Sequence, residues 1–200
     1  MTPVKFYFDP ACPFAWAASR WLLSTSERRD IEIGWRQMSL AVLNEGTDLP
    51  DQQRHHIEIS RKLGRVLAAA HHQAGDNALG PLYTALGYRV HQQHAEVTTT
   101  MVADALSESG LDPQLAESLD DPAYDSAVRV AHQESQANLG GSGGSPIICI
   151  DGECFFGPVL TAIPSNDEGD ELFDALRTLS ATSAFAQLQR PHSGPPTLPS

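Results

Sequence analysis

The chain has 200 residues, 41% of them hydrophobic and 19% charged, which suits one globular domain or one domain carrying a large insertion. Thirteen basic against 25 acidic residues give a net charge of −12, which argues against nucleic acid or an anionic membrane as a main partner, since both are held by clustered Lys and Arg. No run approaches the roughly 18–20 apolar residues of a membrane span, and the first eight residues read straight into a strand without the regions of a signal peptide. A cytoplasmic protein is therefore expected, and its three cysteines are too few for a disulfide scaffold.

Lys5 to Phe8 alternates and is aromatic, which predicts a strand. Asp9-Pro10-Ala11 turns the chain, Pro13 suits the first helical turn, and Trp16, Ala17, Trp21 and Leu22 recur at helical spacing to about Arg28. Ile31 to Trp35 alternates again, completing a βαβ unit. From Asp51 to about Asn138 helical stretches follow one another: 51–74, 81–93, 97–109, 113–119 and 122–138. Asp112-Pro113 and Asp121-Pro122 are N-cap and N1 pairs, and Gly140 is a helix stop. After the glycine-rich link 140–144, residues 146–150 and 153–156 flank Asp151-Gly152 as a hairpin with a type I′ turn. A last helix is expected over 167–188.

The order β-α-β, helical block, β-β-α predicts an α/β class, a thioredoxin fold of the DsbA-like type with an α-helical insertion. Residues 1–50 and 121–190 form the thioredoxin-like part, 51–120 the insertion, and the proline-rich 191–200 a mobile tail.

Cys12 falls where a strand ends and a helix begins. Unpaired N–H groups and the positive end of the helix dipole favour an anion there, so the thiol is expected to ionise below the free-cysteine value of about 8.5. A thiolate at neutral pH is both nucleophile and leaving group; the bland alternative is an inert core thiol. Ser145-Pro146 precedes the hairpin, and in a thioredoxin fold that proline is cis and lies beside the cysteine; an ordinary trans proline at a strand edge is the other reading.

The sequence Cys12-Pro13-Phe14-Ala15 lacks the second thiol of a Cys-x-x-Cys site. Cys12 is then limited to monothiol exchange resolved by a small external thiol, and Ala15 reads either as natural or as an engineered replacement of a resolving cysteine. Cys149 and Cys154 flank the hairpin turn; a strained disulfide between them is conceivable, but two small core residues are the preferred reading. His91-x-x-His94 lacks further ligands at metal-site spacing, so no metal is expected and the histidines read as solvated.

Phe8-Asp9-Pro10 with Cys12-Pro13 and Trp16, Ser19-Arg20-Trp21, Met38 to Ala41 with Leu43-Asn44-Glu45, Pro81 to Ala85, Ala123-Tyr124-Asp125, Ser145-Pro146 and Phe155 to Leu160 together resemble the actinobacterial DsbA-like mycothiol-dependent oxidoreductases. This group contains the mycothiol-dependent nitroreductase, and the resemblance covers nearly the whole chain up to the last helix. It implies mycothiol as thiol co-substrate, no tightly bound cofactor, a homodimer tendency, and mycothiolated proteins or xenobiotic electrophiles as further partners. It implies Cys12 as nucleophile, with Trp16, Asn44 and Tyr83 lining the cleft. Asp9, Pro13, Phe14, Met38, Ser145 and Pro146 complete the expected substrate- and thiol-binding set. Dithiol members carry Cys where this chain has Ala15. Kappa-type thiol transferases and isomerases share the inserted fold but activate a thiol with serine, and a non-catalytic binding module is a third reading.

Overall fold

The computed structural model describes residues 1–199; Ser200, the end of the predicted tail, lies outside them. Four strands, β1 (Thr2–Phe8), β2 (Ile31–Gln37), β3 (Ile147–Ile150) and β4 (Glu153–Phe156), form one sheet in the order β2-β1-β3-β4. β1 and β2 are parallel, joined by the crossover helix α1 (Pro13–Ser26), while β3 runs antiparallel to β1 and β4 to β3. Alternation along β1 sends Val4, Phe6 and Phe8 into the main core and Tyr7 into a smaller cluster on the opposite face, with Met38, Ile147 and Cys149.

Six further helices follow: α2 (Leu40–Leu43), α3 (Asp51–Ala74), α4 (Leu79–Gly87), α5 (Thr99–Glu108), α6 (Asp125–Leu139) and α7 (Asn166–Ser180). The main core runs without a break from the sheet and α1 into α3, α4 and α5, so insertion and sheet share one apolar interior. The predicted caps hold. Asp112 and Asp121 accept from Gln114 N and Ala123 N, each at 2.9 Å, and Gly140 is left-handed. No helix among the described residues is long and apolar enough to cross a membrane.

Two expectations are corrected. α7 stops at Ser180, not 188, because Ser180 and Thr182 side chains bond the carbonyls of Arg177 and Thr178 and compete with continued helix. Phe185 then turns back onto Phe155, ring centres 5.9 Å apart. Cys149 and Cys154 are not separate core residues but a disulfide. Asp151 and Gly152 both have positive φ, as the type I′ turn requires, and Ile150↔Glu153 closes the hairpin. The next pair, Cys149↔Cys154, is then the non-hydrogen-bonded kind in which opposing residues come closest. The tail 191–199 makes defined contacts: Thr197 N donates to Thr161 O at 2.8 Å, and His192 meets the edge of Phe14 at 5.2 Å.

All three tryptophans press against a helix glycine of a different element: Trp16 of α1 on Gly87, Trp35 of β2 on Gly80 and Trp21 of α1 on Gly169. Trp21 also donates through Nε1 to Gly169 O at 2.8 Å, which locks α7 onto α1. A Cβ at Gly169 would lie 2.9 Å from Trp21 Cδ1. Gly169→Ala gains about 1 kcal/mol of helix propensity but overpacks the seam by about 1–3 kcal/mol, so net destabilisation is expected in urea titration. Gly141→Ala, with nothing within 4 Å of the added carbon, serves as the comparison and should not destabilise. A Gly169→Ala protein as stable as the parent would contradict this packing.

Candidate active site

Asp9, buried, directly follows β1, and its carboxylate organises the turn that presents Cys12. Oδ1 accepts from Ala11 N at 2.8 Å, while Oδ2 accepts from Leu40 N at 2.7 Å and from the Ser60 hydroxyl of α3. The Asp9 backbone N–H donates to Ser145 Oγ at 2.9 Å. Burial pushes the Asp9 carboxyl up from its ordinary value, against those donors, which favour the charged form.

Cys12 is the N-cap of α1, with Pro13 at the first helical position, as the sequence predicts. Its sulfur accepts from Ala15 N at 3.4 Å, and its thiol donates to the Ser145 carbonyl at 3.2 Å. Ser145-Pro146 is cis, as the thioredoxin-type reading expects, and Gly157-Pro158 is cis as well. The helix terminus is therefore in contact with the sulfur. Yet Cys12 is only 4% exposed, and burial pushes its thiol up to about 11. The nearby Asp9 charge adds to the rise, while the Ala15 and Phe14 N–H groups and Ser145 oppose it. The expected lowering is corrected: the N-terminal donors are present, but desolvation outweighs them and the resting thiol is protonated at neutral pH.

Along α1, Cys12, Trp16 and Arg20 follow at i, i+4 and i+8 on one face. Tyr83 of α4 joins them, stacked on Phe8 at 3.8 Å and edge-on to Trp16 at 5.8 Å. The Tyr83 hydroxyl and Trp16 Nε1 are buried without a hydrogen-bond partner among the described residues. The Arg20 guanidinium lies 4.0 Å over the Trp16 ring and donates to Thr84 Oγ1 at 3.1 Å. Burial lowers its pKa to about 10.

The structure brings Asp9, Pro13, Phe14, Trp16, Tyr83, Ser145 and Pro146 around or directly behind Cys12. It does not bring Met38, which packs with Tyr7, Ile147 and Cys149 on the other face. Asn44 bonds its own helix end, Nδ2 donating to Leu40 O at 2.8 Å. His91, expected among the solvated histidines, is instead part of the site. It is buried, stacks on Trp16 at 5.7 Å, and its Nε2 donates to the Pro10 carbonyl at 2.9 Å, holding the turn before Cys12. Burial drops its pKa to about 4, so it stays neutral. A histidine three residues before His94 carries no local signal of this role; only the packing of the helical turn 88–92, which follows α4, against Trp16 and Pro10 reveals it. Grooves of about 710 and 270 Å³ lie on the opposite face of the sheet, lined by Lys5 and Arg36, and neither includes Cys12.

Comparison with known proteins agrees with this geometry. The chain is 31% identical over 198 residues to the uncharacterized protein Rv2286c of Mycobacterium tuberculosis, covering 96% of this chain and 84% of that protein. Among solved structures it is similar to the cytosolic disulfide reductase DsbM from Pseudomonas aeruginosa with GSH, at TM-score 0.58 and 13% identity, covering 87% and 98% of the two chains. It is equally similar, at TM-score 0.58 and 18% identity, to a 2-hydroxychromene-2-carboxylate isomerase, covering 91% and 98%. At these identities the two structures speak for the fold, and they bear out the DsbA-like thioredoxin architecture. The family model of the mycothiol-dependent nitroreductase Rv2466c matches residues 11–190. On that match, and on its Mycobacterium tuberculosis relative, the chain belongs to the Rv2466c-like family of mycothiol-dependent, DsbA-like oxidoreductases.

Proposed function

We propose that the protein is a thiol-disulfide oxidoreductase that works through Cys12 alone, with mycothiol as reductant and resolving thiol. The observation that carries this reading is the arrangement at the start of α1. Cys12 takes the N–H of residue 15, where a dithiol enzyme holds its second sulfur, and residue 15 is alanine. The other two cysteines are bonded to each other on the far face of the sheet. In the first step Cys12 gives up the proton it shares with Ser145 O, and its thiolate attacks a disulfide R–S–S–R′. A Cys12–S–S–R bond forms and R′S⁻ leaves. A mycothiol thiolate then attacks the sulfur of R, releasing R–S–S–mycothiol and the Cys12 thiolate, which recovers a proton. The partly exposed Arg20 cation over Trp16, on the same face of α1 as Cys12, supplies a polar group for a hydroxyl-rich thiol. A cytoplasmic setting, where small thiols are abundant, fits the same chemistry.

A second reading is favoured by the protonated state of Cys12. A neutral thiol at the N-cap can hydrogen-bond a thiolate bound beside it instead of attacking, as a kappa-type thiol transferase or isomerase acting on small electrophiles would require. Covalent chemistry separates the two, because the transferase reading predicts turnover with no adduct on Cys12.

Two outcomes follow. Alkylation of Cys12 by iodoacetamide should be slow at pH 7 and rise about tenfold per pH unit through pH 9, since the thiolate fraction climbs until the thiol's raised value near 11. A midpoint at or below about 8.5, roughly the free-cysteine value, would mean that the resting thiol is not desolvated. The second concerns Ala15. Oxidised mycothiol should leave one adduct on Cys12 of the wild type by intact mass, removable only by added thiol. Ala15→Cys, three residues along the same turn, should replace that adduct by an internal bond between residues 12 and 15. Ala15 is fully buried, so this variant should lose about 1–3 kcal/mol of stability by overpacking. Wild type that gains no adduct on Cys12 would refute the monothiol mechanism.

A further inference from the structure

The face of the sheet opposite Cys12 carries its own sulfur chemistry. Cys149 is the register partner of Lys5 on β1 and of Cys154 on β4, the strand at the sheet's edge. Helix α6 covers the upper part of this face, where Tyr7 donates to Glu134 at 2.9 Å. Below that contact the face is open as a groove of about 710 Å³, lined by Lys5, Glu32, Arg36, Asn138, Cys149 and Cys154. The two sulfurs are not equivalent. Cys149 is buried, whereas Cys154 is partly exposed on the edge strand.

We infer that the Cys149–Cys154 disulfide is a second redox site, independent of Cys12, that exchanges with low-molecular-weight thiols entering the groove over Lys5 and Arg36. Access and leaving-group chemistry select the direction of attack. A thiolate RS⁻ reaches Cys154, forms Cys154–S–S–R, and breaks the bond to Cys149, which leaves as a thiolate. Lys5 stands directly across from Cys149 on the same face, where side chains of opposed residues lie about 5 Å apart at Cβ. Its cation favours the departing anion. A second RS⁻ attacks the sulfur of R, giving R–S–S–R and the Cys154 thiolate, and the two protein thiolates take up protons from water. The two electrons come from two equivalents of the small thiol, which are oxidised to its disulfide. The groove offers cations, carboxylates and an amide within one concavity, which suits a polar, hydroxyl- or amide-bearing thiol over an apolar one.

The test is made in the full chain with Cys12→Ser, so that its failure leaves the Cys12 reading untouched. The folded protein is incubated with glutathione or mycothiol, quenched with N-ethylmaleimide under denaturing conditions, and read by intact mass and peptide mapping. The expected result is no maleimide before thiol and one on each of Cys149 and Cys154 afterwards. In the Cys12→Ser background the single-cysteine variants are given the small thiol's own disulfide as oxidant. Cys149→Ser should exchange with it to leave a thiol adduct on Cys154 and release one thiol, and Cys154→Ser should form the adduct on Cys149 on the order of tenfold more slowly, following access. Lys5→Gln should slow the opening. The same mapping on wild type gives the readout without substitutions. Full alkylation before any thiol is added, no opening by either thiol in the folded protein, or faster capture at Cys149 than at Cys154 would each overturn the proposal.

Discussion

The site depends on one buried carboxylate. Asp9 gathers the turn before Cys12 through Ala11 N, the start of α2 through Leu40 N, the insertion through Ser60, and the cis-proline segment through its own backbone bond to Ser145. These four segments are distant in sequence, and no other side chain of the site touches all of them. A buried acid is costly unless its oxygens are satisfied, so the same residue that fixes the geometry also demands that all four partners arrive together. His91 works alongside it by fixing Pro10, the residue between Asp9 and Ala11.

At Cys12 two opposing effects meet. The first turn of α1 offers the sulfur an N–H at 3.4 Å and the positive end of the helix dipole. Burial under Trp16 and beside Asp9 works the other way and wins, pushing the thiol up to about 11. The consequence is a thiol held in its protonated, unreactive form. Its proton rests on the Ser145 carbonyl, 3.2 Å from the sulfur.

Much of this was legible locally. β1, α1 and β2, the proline at N1, the caps at Asp112, Asp121 and Gly140, and the type I′ turn each rest on a few adjacent residues, and the structure has them all. What escaped the sequence depends on partners far along the chain. Cys12 is buried in a core shared with helices of the insertion, and that desolvation, which no local rule about helix termini contains, reverses the expected direction. Met38 reads as a site residue in its motif, yet strand alternation carries it to the other face. The disulfide escaped because composition and compartment argued for free thiols, whereas hairpin register decides which cysteines meet.

Sheet and helices thus separate two kinds of sulfur, a single buried thiol on the α1 face and a bonded pair on the face partly covered by α6. The account stands or falls on which sulfur turns over substrate. The most direct measurement is steady-state reduction of a mixed disulfide between mycothiol and 2-hydroxyethanethiol, with mycothiol concentration varied. The predicted result is a rate that rises with mycothiol, persists when Cys149 and Cys154 are both replaced by serine, and vanishes when Cys12→Ser is added to that double variant. Loss of turnover on replacing Cys149 and Cys154 alone, or a rate indifferent to mycothiol, would contradict it.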